Sequence, residues 1–339
     1  MNHVSYQFGQ ARTDFYLAAA FGQLGRITDR KTSVLLTDEH VYQAHRARFR
    51  GWQTIVLKPG ERFKVQPTVD DIISRLIGLE AGRSSTLVGV GGGVVTDLAG
   101  YVASVYLRGI RFGFVPTSIL ALVDASIGGK NGIDVGVYKN LVGVIRQPSF
   151  ILHDLSLLRS LPRAEWENGF AEVIKHACIR DAALFRELET ANLKKFQASR
   201  SRLSGLIARN VAIKARIVQR DEGERGERRL LNFGHTLGHA LENTYQLMHG
   251  QAVAIGMAYA CRLSEQLTGF RHTDRVKSVL EQYGLPTSLD FDRPQAIRIL
   301  KMDKKRERKE INYILLERIG RGVVQSIPLR RLERLIEKL

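Results

Sequence analysis

The chain has 339 residues, enough for one large domain or two ordinary ones with separate cores, and its 44% hydrophobic and 25% charged content is that of a soluble globular protein. No run approaches the roughly 20 apolar residues that cross a bilayer, and Met1 to Phe8 has neither the basic start nor the apolar run of a secretory signal. Cysteine is confined to Cys178 and Cys261, which makes a disulfide framework implausible and a cytoplasmic protein the expectation.

Charge raises the question of nucleic acid, because 51 Lys and Arg against 34 Asp and Glu leave a net +17. The basic residues are dispersed, however. Their densest cluster, Lys301 to Lys309, is interrupted by Asp303 and Glu307, and no recognition motif accompanies it. A dedicated nucleic-acid partner is therefore not expected, whereas a small anionic substrate would use some of these cations locally.

After a short strand at Val4 to Phe8 and a helix-like stretch from Phe15 to Leu24, the pattern changes at Ser33 to short apolar runs. These are Val34 to Leu36, Ile55 to Leu57, Leu87 to Val90 and Phe112 to Val115, with helical stretches between several of them. Such runs read as buried parallel strands in an α/β layer. Asp38, just after the first run, stands where a carboxylate takes a nucleotide's ribose hydroxyls or, equally well, caps a helix. The polar turn Pro59 to Lys64 follows the second run and would border the same nucleotide.

The third run leads into Gly91-Gly92-Gly93-Val94-Val95-Thr96-Asp97. Glycines at a strand-to-helix turn let the backbone approach a pyrophosphate, and the helix N-terminus adds N–H groups and a favourable dipole. This is not the Gly-x-Gly-x-x-Gly fingerprint. Beyond the fourth run come Pro116-Thr117-Ser118, then Asp124-Ala125-Ser126-Ile127-Gly128-Gly129-Lys130, then Lys139-Asn140. Paired glycines before a lysine let a cation reach a bound anion, but no Walker pattern is present.

Past Leu161-Pro162, long amphipathic helical stretches dominate until Ile311 to Leu316, which places a domain boundary near residue 160 and domains at 1–160 and 161–339. A long helix ending near Arg220 carries Lys214. The stretch Leu230 to Glu242 then sets His235 and His239 four apart, on one face of a helix. His249 sits at the start of the next helix, and Glu172 lies upstream in apolar helical surroundings. A His pair at this spacing is by itself more often a core or surface pair. Two His and one carboxylate would nonetheless leave coordination positions open, as a catalytic zinc or similar divalent ion requires. Zinc peptidases need Glu directly after the first His, and here that position is Thr236.

Taken together, the glycine turn, Pro116-Thr117-Ser118, Asp124 to Lys130, Lys139-Asn140, Ala171-Glu172-Val173-Ile174-Lys175, Asn232 to His239 and His249-Gly250 resemble 3-dehydroquinate synthase in order and spacing, over roughly residues 33 to 330. The resemblance implies an N-terminal Rossmann-like α/β domain with a parallel sheet that binds NAD. It implies a C-terminal, mostly helical domain for a divalent metal, zinc or cobalt, and for the substrate. It further implies conversion of 3-deoxy-D-arabino-heptulosonate 7-phosphate to 3-dehydroquinate and phosphate, a step of the shikimate pathway. Hydride transfer to NAD, loss of phosphate, return of the hydride and an aldol closure would leave no net oxidation.

Carried onto this chain, the family's metal ligands fall on Glu172, His235 and His249, leaving His239 as a non-ligand that contacts substrate. NAD contacts fall on Glu61, Lys64, the turn Gly91 to Asp97, Thr117, Ser118 and Lys139, with Asp38 and Lys130 counted to the same set. Substrate contacts fall on Asp124, Lys130, Asn140, Lys175, Lys214, Arg228, Asn232 and one of Lys304 or Lys305. Lys214 and Arg228 would meet the carboxylate, and Lys130, Asn232 and His239 the phosphate. Arg108 matches an arginine that reaches across a homodimer interface. Gln251, Ser118 and Thr96 replace a usual Glu, Thr and Gly. Other sugar phosphate cyclases, whose substrates lack the carboxylate, are the nearest alternative, followed by iron-dependent alcohol or glycerol dehydrogenases.

Overall fold

In the computed structural model, which describes residues 2–136, 138–303 and 310–338, the chain falls into two units. The first is Met1–Trp166 with Arg200–Glu222; the second is Glu167–Ser199 with Gly223–Leu339. A cut near residue 160 leaves the helix of Lys214 in the second half, whereas here that helix goes with the first unit.

The first unit opens with strands β1 (Asn2–Phe8) and β2 (Ala11–Leu17), followed by β3 (Ser33–Asp38), helix α1 (Glu39–His45), β4 (Gln53–Leu57), α2 (Gln66–Gly78), β5 (Thr86–Gly91), α3 (Gly93–Val105) and β6 (Arg111–Pro116). It continues with β7 (Lys130–Val135), β8 (Tyr138–Ile145) and β9 (Phe150–Leu152). A sheet of seven strands runs in the order β1-β2-β9-β6-β5-β3-β4, and β7 with β8 forms a separate hairpin. All neighbours in the large sheet are parallel except β1 and β2. The four apolar runs are β3 to β6, and β5 is buried at every residue, as a parallel strand covered on both faces must be. Phe21, Leu24, Phe49 and Trp52 pack with Leu35, Val88, Val90, Val115 and Leu152 in one core cluster.

The stretch Phe15 to Leu24 is not a helix. Its first residues belong to β2, where Thr13 and Phe15 are buried while their neighbours are less so, and only a short 3-10 turn at Phe21–Arg26 follows. Pairing with β1 on one side and β9 on the other overrides the local helical spacing.

Strand order locates the nucleotide turn. From β3 the chain crosses to β4 on one side and then returns, through α2, to β5 on the other side of β3. That reversal opens a crevice beyond the carboxyl ends of β3 and β5, the place where open parallel sheets bind ligands. Thr37 pairs with Val90 there, so Asp38 and Gly91 flank the crevice.

The second unit holds most of α4 (Arg163–Arg180), then α5 (Ala182–Thr190) and α6 (Leu193–Ala198); α7 (Arg200–Arg220) returns to the first unit. After it come α8 (His235–Thr244), α9 (His249–Thr268), α10 (Thr273–Gln282), α11 (Arg293–Asp303), the antiparallel hairpin β10 (Glu310–Arg318) and β11 (Arg321–Pro328), and α12 (Leu329–Lys338). Among the described residues no helix is long and apolar enough to cross a membrane. Helices α8 and α9 approach closely: a Cβ on Gly238 would stand 2.9 Å from the Ala252 carbonyl oxygen, and one on Gly256 would run into the Gly234 backbone. Gly234 also starts α8 with φ +82°, a conformation that costs glycine little.

Candidate active site

Helix α4 supplies Glu172, α8 supplies His235 at its first residue, and α9 supplies His249 at its own. One ligand atom from each lies within 4.8 Å of the other two. Both imidazoles turn Nε2 toward the same carboxylate oxygen: His249 Nε2 is 3.2 Å and His235 Nε2 3.5 Å from Glu172 Oε1. His235 Nδ1 lies 3.2 Å from the Phe233 carbonyl oxygen, so that nitrogen carries the proton and Nε2 keeps its lone pair. A carboxylate oxygen and two imidazole nitrogens converging in this way fit a divalent ion such as zinc or cobalt, with positions left open.

Charge in the cluster is unevenly shared. Glu172 is fully buried and ion-paired with Lys175, itself 1% exposed, one turn along α4. Burial, then the Lys175 charge, hold the His235 pKa well below the usual histidine value. Burial opposes a proton on His249, but Glu172 and Glu242 outweigh it and lift that pKa to about 9. His239, exposed, stands outside the Glu172 trio, its ring 5.2 Å from that of His235.

Two residues brace these helices: Asn168, which sequence reasoning missed, and Gln251, which it noted only as a departure from the family pattern. Asn168, one turn before Glu172 on α4, accepts from the Gly250 backbone N–H at 2.5 Å and so ties the start of α9 to α4. Its signal was the spacing of four to Glu172, legible only once α9 is known to begin there. Gln251 accepts from the Met248 N–H at 3.1 Å, bracing the same helix start, a job glutamine does as well as glutamate.

The first unit carries the glycine turn. Gly91 is glycine for packing, since a Cβ there would stand 2.5 Å from Val95 Cβ. Gly92 and Gly93 differ, because their Cβ atoms would meet nothing nearer than 3.5 Å. Packing within the chain does not demand glycine at those two positions, whereas an approaching pyrophosphate would. Gly92 caps α3 without a side chain, so the first N–H groups of the helix are of the kind that binds anions. Thr117 N–H donates to the Gly91 carbonyl at 2.9 Å, and Ser118 Oγ accepts from Ala121 N–H at 3.2 Å, which brings the end of β6 against the turn. Asp38 accepts from Val41 N–H at 3.0 Å, the cap geometry, worth about 1 kcal/mol.

Beside the turn, Lys64 is buried in a carboxylate cage: Glu61 Oε1 is 2.6 Å, Asp97 Oδ2 3.5 Å and Asp134 Oδ1 3.6 Å from its Nζ. Burial alone would lower its pKa, but Asp97 and Glu61 outweigh it and hold the ammonium charged. Asp97 is pushed up to about 7, by burial first and by the Glu61 charge, with Lys64 opposing. Lys64 also donates to Asn140 Oδ1 at 2.9 Å, and Asn140, at φ +53°, gives its own N–H to Asp134 Oδ1 at 2.7 Å. Glu61, Lys64, Asp97 and Asn140 are thus brought together, and Asp134 is a partner that sequence reasoning missed.

The remaining expected residues are spread over both units. In the first, Lys214 Nζ pairs with Asp124 Oδ1 at 2.8 Å and with the Asp124 carbonyl at 2.7 Å. Lys130 begins β7, Lys139 lies on exposed β8, and Arg108 ends the turn after α3, exposed and at φ +66°. In the second, Arg228 is 2% exposed, and Asn232 donates to Glu224 Oε1 at 2.5 Å. Glu224, too, escaped the sequence reading. Lys304 and Lys305 lie outside the described residues.

Comparison with known proteins places the chain in a family. Residues 54–168 match the 3-dehydroquinate synthase N-terminal family and residues 169–306 the 3-dehydroquinate synthase C-terminal family. The chain is 45% identical over 275 residues to the 3-dehydroquinate synthase of Methylacidiphilum infernorum (isolate V4), covering 79% of this chain and 75% of that one. It is 41% identical over 276 residues to that of Pyrococcus abyssi, covering 81% of each. Among solved structures, ValA, the 2-epi-5-epi-valiolone synthase of Streptomyces hygroscopicus subsp. jinggangensis 5008 with NAD+ and Zn2+ bound, has the same fold at TM-score 0.86 and 24% identity, over 100% of this chain and 97% of that one. A 2-deoxy-scyllo-inosose synthase complexed with carbaglucose-6-phosphate, NAD+ and Co2+ follows at TM-score 0.84 and 22% identity, over 99% of each chain. By the match of both halves and by these identities, the chain belongs to the 3-dehydroquinate synthase family.

Proposed function

We propose that the chain converts 3-deoxy-D-arabino-heptulosonate 7-phosphate to 3-dehydroquinate and phosphate, with NAD and a divalent ion, zinc or cobalt, as cofactors. The enzyme is a phosphate-eliminating carbon–oxygen lyase of the shikimate pathway. The observation that carries this reading is the convergence of Glu172, His235 and His249 in a chain whose relatives are 3-dehydroquinate synthases. Cyclases of the same fold bind NAD+ together with Zn2+ or Co2+, which supports the cofactor pair.

When bound, NAD supplies a reversible hydride acceptor and the ion a Lewis acid that acidifies a hydroxyl. Glu172, His235 and His249 hold the ion. In the first unit the N-terminus of α3, Gly92 and Gly93 receive the pyrophosphate, with Asp38, Glu61, Lys64, Asp97, Thr117, Ser118 and Lys139 around the nucleotide. Lys214, oriented by Asp124, and the buried Arg228 each offer a cation to the substrate carboxylate. Lys130, Asn232 and His239 serve the phosphate, and Lys175, ion-paired with Glu172, contacts the substrate beside the ion's ligands.

The working form is a homodimer in the cytoplasm, where Cys178 and Cys261, both free and buried, stay reduced. Support for the dimer comes from the hairpin β7–β8, which exposes Val135, Tyr138, Leu141, Val142 and Ile145. Arg146, just past β8, donates to the Ala103 carbonyl at 2.8 Å and lies beside Gly109, so this apolar face adjoins Arg108.

The test is phosphate release from the heptulosonate phosphate with NAD well below the substrate concentration, beside a parallel assay on sedoheptulose 7-phosphate. Many phosphates per NAD from the carboxylated substrate, without accumulation of NADH, are expected. Turnover of sedoheptulose 7-phosphate alone would make the chain another sugar phosphate cyclase, and net NADH from a simple alcohol would make it a dehydrogenase.

A further inference from the structure

Glu242 is a carboxylate that none of the assigned roles uses, yet it is buried, and burying a carboxylate is costly unless a partner offsets it. It lies on α8 seven residues after His235 and three after His239, hence on the face of the helix that carries the imidazoles. Its Oε2 stands 3.6 Å from His249 Nδ1, while the other nitrogen of that ring, Nε2, stands 3.2 Å from Glu172 Oε1. The imidazole of His249 is therefore held between two carboxylates, one at each nitrogen.

We propose that Glu242 is a positioning residue for the ion: by accepting a hydrogen bond from His249 Nδ1–H it keeps that ring in the tautomer and orientation that present Nε2. His235 shows the same division of labour, with Nδ1 against the Phe233 carbonyl and Nε2 toward Glu172. A backbone carbonyl performs the task on one ring and a side chain on the other. The separation of 3.6 Å is longer than a formed hydrogen bond, so the proposal requires the His249 ring to turn toward Glu242 when an ion is held on Nε2. A carboxylate in this place also raises the basicity of the ligand, and loss of such a partner weakens metal affinity by about 10- to 100-fold in metalloproteins generally.

This rests on Glu172, His235 and His249 being the ion's ligands, and the experiment separates the two. Metal-stripped full-length protein and its Glu242→Gln, Glu242→Ala and His235→Ala variants are titrated with Co2+ in competition with a chromophoric chelator, while the visible spectrum of bound Co2+ is recorded. Far-UV circular dichroism and the melting temperature of each stripped protein are measured alongside. Glu242→Ala is expected to weaken Co2+ binding about 10- to 100-fold and to alter the Co2+ spectrum. Glu242→Gln, which preserves shape but not charge, should fall between it and the parent, with the fold of its stripped form unchanged. If Glu242→Gln and Glu242→Ala bind Co2+ within twofold of the parent with the same spectrum, while His235→Ala has lost the ion, the ligand set stands and the role of Glu242 falls. If His235→Ala also binds like the parent, the ligand set itself is wrong and the role of Glu242 goes with it.

Discussion

His249 Nε2 lies 3.2 Å from Glu172 Oε1 across 77 residues of chain. The start of one helix is thereby set against the middle of another, and α8 brings His235 Nε2 to 3.5 Å from the same oxygen. A donor set of this kind belongs to no single element, and it gives the most direct prediction.

His235→Ala and Glu172→Gln should both lose bound zinc or cobalt together with activity, read as metal per chain by elemental analysis after purification. Full occupancy in both variants would remove these ligand assignments. The two should differ in stability. Glu172→Gln takes from the buried Lys175 its ion-pair partner on α4, a change that costs on the order of 3–5 kcal/mol when such pairs are broken. Its melting temperature should therefore drop further than that of His235→Ala.

In the glycine turn, Gly93→Ala should fold with a melting temperature close to that of the parent, because the new Cβ would meet only Ala125 Cβ at 3.5 Å. Its KM for NAD should nevertheless rise at least tenfold. Gly91→Ala should do the reverse, losing stability through collision with Val95. An NAD affinity unchanged in Gly93→Ala would argue that the pyrophosphate lies elsewhere.

Arg228→Ala should weaken binding of the carboxylated substrate by roughly 1.5–3 kcal/mol, the worth of a hydrogen bond to a charged group. Steady-state kinetics would show this chiefly in KM. A KM that does not move would contradict a carboxylate contact.

Acid should destabilise the first unit through His153, a residue with no exposure. Its Nε2–H donates to the Leu122 carbonyl at 3.2 Å, Nδ1 has no hydrogen-bond partner, and burial lowers its pKa from 6.5 to about 4. The folded state therefore binds fewer protons than the unfolded state in that window. The contribution is fully present above pH 6.5 and is lost as pH falls toward 4, in total about 3 kcal/mol. His153→Gln should flatten the decline of melting temperature between pH 6.5 and pH 4. An equally steep decline in the variant would assign the acid sensitivity to other groups.

If the proposed homodimer forms through this hairpin, replacing Leu141 and Ile145 together by Asp should leave a monomer in sedimentation velocity where the parent sediments as a dimer, since both side chains are more than half exposed. A parent that sediments as a monomer would overturn the dimer. Mixing Arg108→Ala with His235→Ala subunits tests the same interface by function. Partial recovery of activity in the mixed dimer is expected if Arg108 serves the partner subunit, and no recovery would place its role within one chain.

Local pattern made much of this molecule legible. Leu87 to Val90 read as a buried parallel strand, Gly91 to Gly93 as a strand-to-helix turn, and the spacing of His235 and His239 put both on one face of a helix. Patterns that depend on a partner element were hidden. Phe15 to Leu17 carries helix-compatible spacing but lies in β2, because β1 and β9 pair with it on either side. The hairpin β7–β8 and the three-residue β9 were not foreseen, their sequences being short or rich in glycine, lysine and asparagine.

Residue identity and order set the chemistry on offer, an acid, several imidazoles and a set of cations, and the succession of strands and helices that present them. Which of these groups meet depends on how the elements pack. His249 rather than His239 joins Glu172 and His235 because Asn168 anchors the start of α9 to α4 and because Gly238 and Gly256 let α8 and α9 nearly touch. Periodicity is a property of one segment and can be read along the chain. The meeting of donor atoms depends on how closely two backbones pass, which is set by small residues and buried hydrogen bonds distant from the donors in sequence.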